Sequence, residues 1–371
     1  MFQTPLPQEY QSLSPDEVRE RILAAKQALG SRLVILGHHY QRDEIIEHAD
    51  YRGDSFKLAK DANRHPEVEF IVFCGVHFMA ESADILTPAH QRVILPNLAA
   101  GCSMADMANL FQVRNCWRDL EKVLGDLTPS EEGKSQVVPI TYIKSAANLK
   151  AFVGERGGTV CTSTNAPKAV AWALQRGEKV LFFPDQHLGR NTGAKLGYDP
   201  YKEMILWDPH MALGGNTEDD IRRATFVLWK GHCSVHGRFT VEQVLEARQK
   251  YPDVNVIVHP ECPIEVVRLS NLNGSTEFII KTVEAAPAGT TWAVGTEINL
   301  VSRLAKENSD KTILCLDPMI CPCATMYRIH PSFLCWALEN LVAGTPVNVI
   351  EVPSKVKHFA KLALDRMLTI V

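Results

Sequence analysis

Nine short apolar runs, separated by longer amphipathic stretches, are the feature of this sequence that most constrains its fold. Strands that read as continuous apolar runs are typical of parallel sheets covered by helices on both faces. The pattern therefore predicts the α/β class, with several small sheets rather than one. The runs are RLVIL at 32, FIVFCGV at 70, RVIL at 92, VVPITY at 137, VLFFP at 180, TFVLW at 225, VNVIV at 254, TWAVG at 291 and TILCL at 312.

Charge and hydropathy exclude several classes of function. The chain has 371 residues with 39 basic and 43 acidic side chains, and no block of Lys and Arg, which argues against nucleic acid as its main partner. The longest apolar run is about seven residues, and the N-terminal sequence has neither a basic nor an apolar signal region. We therefore expect a cytoplasmic protein without a membrane partner.

Two segments of the chain repeat each other. VILGHHYQRDEIIEHADYRGDS and VIVHPECPIEVVRLSNLNGST superpose without a gap, and the agreement continues downstream. The matched positions are His38 and His259, Ser55 and Thr276 each 17 residues later, and Cys102 and Cys323 each 64 residues later. A third, looser copy begins at ITYIKSAANLK, with Ser163 and Cys233 downstream of Tyr142.

The repeats predict a division of the chain into five parts. We expect a leader and helix over residues 1–30, three α/β repeats over residues 31–130, 131–245 and 246–345, and a C-terminal segment, residues 346–371, that packs back on the core. Ser14, Pro15 and Glu17 predict where the first helix begins, as N-cap, first helical residue and capping-box partner.

Polar side chains follow the first strand of each copy, where ligands bind in parallel sheets. Hydroxyl residues open the next helix or turn, where backbone N–H groups hold phosphate or carboxylate. Taken singly, each hydroxyl residue is more often an ordinary N-cap, but their common spacing favours a binding role. The strand-end residues are His38, His39 and Tyr40, Tyr142 and Lys144, and His259 and Glu261; the hydroxyl residues are Ser55, Ser163, Ser275 and Thr276.

Ten cysteines in a chain without a signal peptide predict buried thiols rather than disulfides, except for one cysteine in each copy. Cys102, Cys233 and Cys323 would together leave an open coordination position, suited to zinc or an iron–sulfur cluster, and composition does not choose between them. The order His259-Pro-Glu261 and then Pro-Cys323 is similar to that of zinc deaminases, but Met326 stands where their second cysteine would be.

Many ordered segments resemble the bacterial quinolinate synthase family from about residue 30 to the C-terminus. They include GHHYQRDEI, GDSFKLA, AGCSMADM, TYIKSAANLKAFV, CTSTNA, FFPDQHLGRNT, LWKGHCSVH, VHPEC, AVGTEINLV and CPCATMYRI. The resemblance implies three homologous three-layer α/β sandwich domains around a pseudo-threefold axis, and one 4Fe-4S cluster. It also implies condensation of iminoaspartate, supplied by an aspartate-oxidising enzyme, with dihydroxyacetone phosphate to give quinolinate, phosphate and water for NAD biosynthesis.

The resemblance also implies roles for individual residues. Cys102, Cys233 and Cys323 match the cluster ligands, and Tyr40 matches a catalytic tyrosine. His259 and Glu261 are suited to moving protons, with an open iron acting as Lewis acid. The positions that match substrate-binding residues are His38, Ser55, Tyr142, Ser163, His259, Glu261 and Thr276.

Three questions stay open at this point: the class of function, the orientation of Lys144 and the identity of the third cysteine ligand. A zinc-dependent hydrolase or deaminase would use the same Cys and His-x-Glu residues, and an iron–sulfur sensor would need the cluster alone. Lys144 stands where the family usually has Asn, so it either faces substrate or points to solvent. Cys321 competes with Cys323 as ligand, and the 64-residue spacing favours Cys323.

Overall fold

The computed structural model describes residues 3–317, 319 and 322–370. Within these residues the chain forms two compact units. The first unit consists of the described residues of Met1–Cys102, Glu297–Arg303 and Cys321–Pro353. The second consists of those of Ser103–Thr296, Leu304–Ile320 and Ser354–Val371.

The first unit contains a five-stranded sheet. Its strands are β1 (Leu33–His38), β2 (Tyr51–Gly53), β3 (Phe70–Cys74), β4 (Arg92–Ile94) and β14 (Val349–Ile350). They lie in the order β14-β4-β3-β1-β2, and all neighbours run parallel except β14 and β4. Every residue of β1 and β3 is buried, as expected for central strands of a parallel sheet covered on both faces.

Six helices lie wholly within the first unit. They are α1 (Gln8–Gln11), α2 (Pro15–Leu29), α3 (Asp43–Ile46), α4 (Ser55–Ala62), α5 (His77–Leu86) and α16 (Pro331–Val342). The predicted start of α2 is confirmed: Ser14 and Glu17 form a complete capping box, and Pro15 is the first helical residue. Helix α15 (Ile298–Glu307) begins in the first unit and ends in the second.

The second unit contains two sheets, both parallel throughout. The strands of the larger sheet are β5 (Val137–Tyr142), β6 (Thr159–Cys161), β7 (Lys179–Phe183), β8 (Met204–Trp207) and β9 (Phe226–Trp229), in the order β6-β5-β7-β9-β8. The strands of the smaller sheet are β10 (Asn255–Val258), β11 (Leu272–Asn273), β12 (Thr291–Gly295) and β13 (Thr312–Cys315), in the order β11-β10-β12-β13.

The helices of the second unit pack around these sheets. They are α6 (Ser103–Asp106), α7 (Leu110–Leu124), α8 (Ala147–Glu155), α9 (Ala166–Leu174), α10 (Gln186–Lys195), α11 (Glu218–Arg223), α12 (Val241–Lys250), α13 (Ile264–Leu269), α14 (Thr276–Ala285) and α17 (Ser354–Thr369). Helix α17 lies directly against α8, where a Cβ on Gly154 would stand 1.9 Å from the carbonyl oxygen of Phe359. A glycine is therefore required at that contact.

The predicted α/β class is confirmed, since three small, mostly parallel sheets are surrounded by helices. Each of the nine apolar runs contains a strand. The sequence pattern missed β2, β6, β8, β11 and β14, and each of these lies at the edge of its sheet. Edge strands are short and have one neighbour, so they need no long apolar run. None of the described helices is long and apolar enough to span a membrane.

Candidate active site

The two clear sequence repeats form the same small structure where their first strands end. In the first unit, His38 Nδ1 accepts a hydrogen bond from the backbone N–H of Tyr40 at 3.1 Å. In the second unit, His259 Nδ1 accepts one from the backbone N–H of Glu261 at 3.3 Å. Both rings are 2% exposed. Because Nδ1 is the acceptor, each neutral imidazole carries its proton on Nε2.

Glu261 is the centre of the polar network in the second unit. Its side chain is fully buried, and its Oε1 accepts hydrogen bonds from Tyr142 Oη and Lys144 Nζ, each at 2.5 Å. Its Oε2 lies 2.7 Å from His236 Nδ1. Burial alone would raise the pKa of Glu261, but the charge of Lys144 and the neighbouring imidazoles outweigh burial and hold that pKa well below its usual range. Glu261 is therefore ionised near neutral pH.

His236 is a site residue that the sequence analysis missed. It lies in a short 3₁₀ turn (His236–Arg238), its Nε2 is 3.1 Å from Thr296 Oγ1, and its ring stacks on His259 with centroids 4.3 Å apart. Burial lowers the pKa of His236 although the charge of Glu261 opposes this. The neutral ring thus donates from Nδ1 to Glu261 and accepts from Thr296. Its position three residues after Cys233 was the available signal.

Asp185 is a second residue that the sequence analysis missed. It follows β7, and its Oδ1 caps α10 by accepting from the Leu188 N–H at 2.7 Å. Burial, together with the negative charge of Glu261, raises the pKa of Asp185 well above its usual range, so the carboxyl keeps its proton near neutral pH. Its Oδ2 has no hydrogen-bond partner among the described residues. The signal was its place at the end of the VLFFP run.

Tyr40 lies in the first unit and is 5% exposed. Its ring meets that of His38 edge-on, with centroids 4.6 Å apart. The loop that carries Tyr40 is clamped by Arg303, whose guanidinium donates to the carbonyls of His39 and Gln41 and pairs with Asp43 at 2.8 Å. Strong charge-assisted contacts to the backbone hold the tyrosine in one position.

The hydroxyl residues take two kinds of position. Ser55 and Thr276 are both the first residues of helices, α4 and α14, which agrees with their matched spacing in the sequence. Ser275 is the N-cap of α14, and its side chain accepts from the Phe278 N–H, which is the ordinary structural role. Ser163 lies in the turn after β6 and is half-buried.

Lys144 does not point into solvent, because its side chain is only 11% exposed and its ammonium contacts Glu261. The solvent-facing alternative is therefore wrong. The lysine lies instead within the polar network of Tyr142 and Glu261.

The cysteines fall into two groups. Cys102, Cys233 and Cys323 are half-buried, as is Cys315. The buried free thiols are Cys74, Cys116, Cys161, Cys262 and Cys335, and burial raises the pKa of every one of them, to about 12 for Cys74 and Cys335. Such thiols stay protonated, so the prediction of buried apolar cysteines is confirmed for these five, whereas it is wrong for Cys315, which is only half-buried. Cys321 lies outside the described residues.

One group of side chains in the second unit has the composition of a metal site. Cys233, His236 and Glu261 each present one ligand atom, and these atoms all lie within 4.8 Å of one another. Thiolate, imidazole and carboxylate are the three protein ligands that zinc uses. The chain therefore contains a group that is able to bind a metal ion.

Glu297 supports the loop of Cys323 in the first unit. The carboxylate is fully buried, and its Oε1 accepts from the Cys323 N–H at 3.2 Å, while its Oε2 accepts from the N–H of Asn299 at 2.8 Å. Burial raises the pKa of Glu297 to about 7, although these backbone donors act in the opposite direction.

A buried ionised carboxylate that is paired with a lysine, beside two stacked imidazoles and a half-buried thiol, is typical of an enzyme's active site rather than of a binding module. The sequence model of the family described as Quinolinate synthetase A protein matches residues 20–369. The chain therefore belongs to the quinolinate synthetase A family of enzymes, and the resemblance seen in its motifs is confirmed.

Curated relatives agree over nearly the whole chain. A quinolinate synthase of Corynebacterium glutamicum is 58% identical over 366 residues, which cover 99% of this chain and 91% of the relative. A quinolinate synthase of Herpetosiphon aurantiacus is 55% identical, covering 98% and 95%. One of Geobacillus sp. is 50% identical, covering 98% and 96%.

The buried carboxyl of Glu297 should make the stability of the protein depend on pH. Its folded pKa lies above its unfolded value, so the folded state holds the proton more tightly, and this stabilisation is lost as pH rises from 4.5 to about 7. The loss amounts to roughly 3 kcal/mol. Thermal unfolding of the full chain between pH 4.5 and 8 measures it.

The comparison is with Glu297→Gln, which cannot ionise. The advantage of the wild type over this variant should shrink as pH rises to 7 and then stay constant. Glu246→Gln, on the exposed face of α12, controls for the change in net charge. A difference in stability between wild type and Glu297→Gln that is the same at every pH would contradict the raised pKa of Glu297.

Proposed function

We propose that this chain makes quinolinate by condensing iminoaspartate with dihydroxyacetone phosphate, with loss of phosphate and water, in NAD biosynthesis. The supporting observation is full-length similarity to relatives that are each named quinolinate synthase, at 48–58% identity. We propose the cytoplasm as its location and an aspartate-oxidising enzyme as the source of iminoaspartate. We also propose that residues 31–130, 131–245 and 246–345 are three homologous repeats around a pseudo-threefold axis, flanked by residues 1–30 and 346–371.

Cys102, Cys233 and Cys323 would hold a 4Fe-4S cluster. The donor set fits, because these three thiols are only half-buried, whereas five other cysteines are buried and held protonated. Glu297 and Thr325 contact Cys323, at its backbone N–H and its Sγ respectively, and so orient it. When bound through three thiolates, the cluster would supply one open iron as a Lewis acid for substrate oxygens.

Glu261 is the residue best suited to accept a proton. The condensation and dehydration steps remove protons from carbon atoms next to carbonyl or imine groups, which requires an ionised base. Lys144 keeps Glu261 ionised, and His236 holds its second oxygen in place. Asp185, whose pKa is raised by burial and by the charge of Glu261, would be the proton donor near this base.

The remaining polar residues would bind the substrates. They would be His38, Ser55, Tyr142, Lys144, Ser163 and Thr276, whereas Tyr40 and His259 would also move protons. Ser55 and Thr276 are the first residues of α4 and α14, and helix N-termini favour phosphate and carboxylate oxygens.

A zinc-dependent hydrolase or deaminase is the second candidate, because Cys233, His236 and Glu261 lie together. It would need a resident zinc ion in the active protein. Membership of the quinolinate synthetase A family favours the first proposal.

Protein purified without oxygen should be brown and contain about four irons per chain. Cys323→Ala should lose the cluster and the activity, whereas Cys321→Ala should keep both, because the spacing of the repeats selects Cys323. Iron and sulfide analysis with an absorbance spectrum measures this. A colourless, fully active preparation with one zinc per chain would support the hydrolase instead. Loss of the cluster in Cys321→Ala but not in Cys323→Ala would show that the repeat register is wrong.

Glu261→Gln and Tyr40→Phe should each lower the rate of quinolinate formation by ~10²- to 10⁴-fold, the usual contribution of a general acid or base. Both variants should retain the cluster spectrum. Glu265→Gln, on the exposed side of α13, is the matched control and should keep normal turnover. Near-normal turnover in Glu261→Gln would remove that residue from the mechanism.

Lys144→Asn should keep activity near neutral pH but change its pH dependence. The ammonium lowers the pKa of Glu261, so its removal raises that pKa, and the acidic limb of the kcat/KM profile should move to higher pH. Apparent substrate affinity should change by no more than about tenfold. An unchanged pH profile would show that the lysine does not control the charge of Glu261.

A further inference from the structure

We propose that Cys233, His236 and Glu261 form a site for a single divalent transition metal, with zinc preferred, which fills when the chain carries no iron–sulfur cluster. All three residues belong to the second unit, so the site needs neither Cys102 nor Cys323. It goes beyond the proposed function, because it binds a different metal through a different set of ligands. The metal site itself does not depend on the proposed reaction.

The ligand atoms are almost in place. Tetrahedral zinc with bonds of about 2.0–2.3 Å separates its ligands by roughly 3.3–3.8 Å. The three atoms here lie within 4.8 Å of one another, and His236 Nδ1 is 2.7 Å from Glu261 Oε2. Binding therefore requires this pair to move apart by roughly 0.6 Å and the widest pair to close by at most about 1 Å, and it leaves a fourth position open for water.

The surroundings of His236 are those of a metal ligand. If Nδ1 binds the metal, the ring proton moves to Nε2 and is donated to Thr296 Oγ1, which already lies at 3.1 Å. A hydrogen bond from the second ring nitrogen is the usual way in which proteins orient a metal-bound histidine. The ring is also held from one side by stacking on His259.

Lys144 opposes metal binding at this site. Its ammonium occupies Glu261 Oε1, so a metal is left with Oε2, and it places a positive charge next to the incoming cation. Lys144 is thus the cation that pairs with Glu261 in the metal-free state. We expect it to weaken metal binding without preventing it.

Zinc and the cluster would compete for Cys233, a consequence that rests on the proposed function. Cys233 is also a proposed ligand of the cluster, so zinc at this site and the cluster exclude each other. Zinc would then inhibit cluster assembly by occupying Cys233, and it would also immobilise Glu261. A chelator added before reconstitution should accordingly increase the iron content of the product.

Co²⁺ is the probe that tests the site, because its visible spectrum reports both geometry and thiolate ligands. The cluster-free full chain is titrated with Co²⁺ without oxygen, and then with Zn²⁺. We expect one Co²⁺ per chain, a tetrahedral spectrum with a single thiolate-to-cobalt charge transfer, and displacement by Zn²⁺. The Co²⁺ and Zn²⁺ titrations do not measure turnover. Failure of the metal site is therefore distinguishable from failure of the proposed reaction.

Variants assign the ligands. Cys233→Ser, His236→Asn and Glu261→Gln should each weaken Co²⁺ binding by at least about tenfold, and Lys144→Met should strengthen it by about tenfold. The double variant Cys102→Ala/Cys323→Ala is the matched control and should bind as the wild type does. Metal-free thermal unfolding of each variant checks that it is folded.

Three results would overturn the proposal. They are no stoichiometric binding, a spectrum with several thiolate ligands that is lost in Cys102→Ala/Cys323→Ala, or folded Glu261→Gln and His236→Asn variants with wild-type affinity. Unchanged or weaker binding by Lys144→Met would contradict the role given to that lysine.

Discussion

The buried charge of Glu261 is the interaction on which the candidate active site depends. A carboxylate without exposure is expensive to ionise unless hydrogen bonds and an opposite charge compensate it. Lys144, Tyr142 and His236 supply that compensation. All three lie in or after strands of the larger sheet, β5 and β9, whereas Glu261 follows β10 of the smaller sheet. Loss of any one partner would leave part of this charge uncompensated, so the positions of four side chains are linked.

The titratable neighbours of Glu261 differ in protonation state, and the negative charge of Glu261 contributes to each difference. Lys144 and Glu261 are both charged, whereas Asp185 keeps its proton because a second negative charge in the same buried region is unfavourable. His236 stays neutral because burial outweighs the attraction of the carboxylate. Acid–base catalysis needs neighbouring groups with different pKa values, so that one is ionised while another keeps its proton.

The loop after the first strand of the first unit is held in a different way. His38 and Tyr40 follow a buried strand, as His259 and Glu261 do. Arg303 instead binds the backbone on either side of the tyrosine. The same strand-end structure is thus stabilised by side-chain charge in one repeat and by a clamp on the main chain in the other.

The sequence by itself determined the α/β class, the nine main strands, the start of α2 and the family. These follow from local patterns: continuous apolar runs, a capping box, and motifs read in order along the chain. The matched spacing of Ser55 and Thr276 likewise identified two equivalent helix starts, because spacing within one repeat is a local property.

Only the tertiary structure decided which polar groups meet and what their charges are. His236 and Asp185 have no distinctive local signal, and their importance comes from their place beside Glu261, which is 25 residues from His236. The edge strands depended on a neighbour in the sheet rather than on their own apolar pattern. The orientation of Lys144 was undetermined for the same reason, since the carboxylate that attracts it lies 117 residues further along the chain.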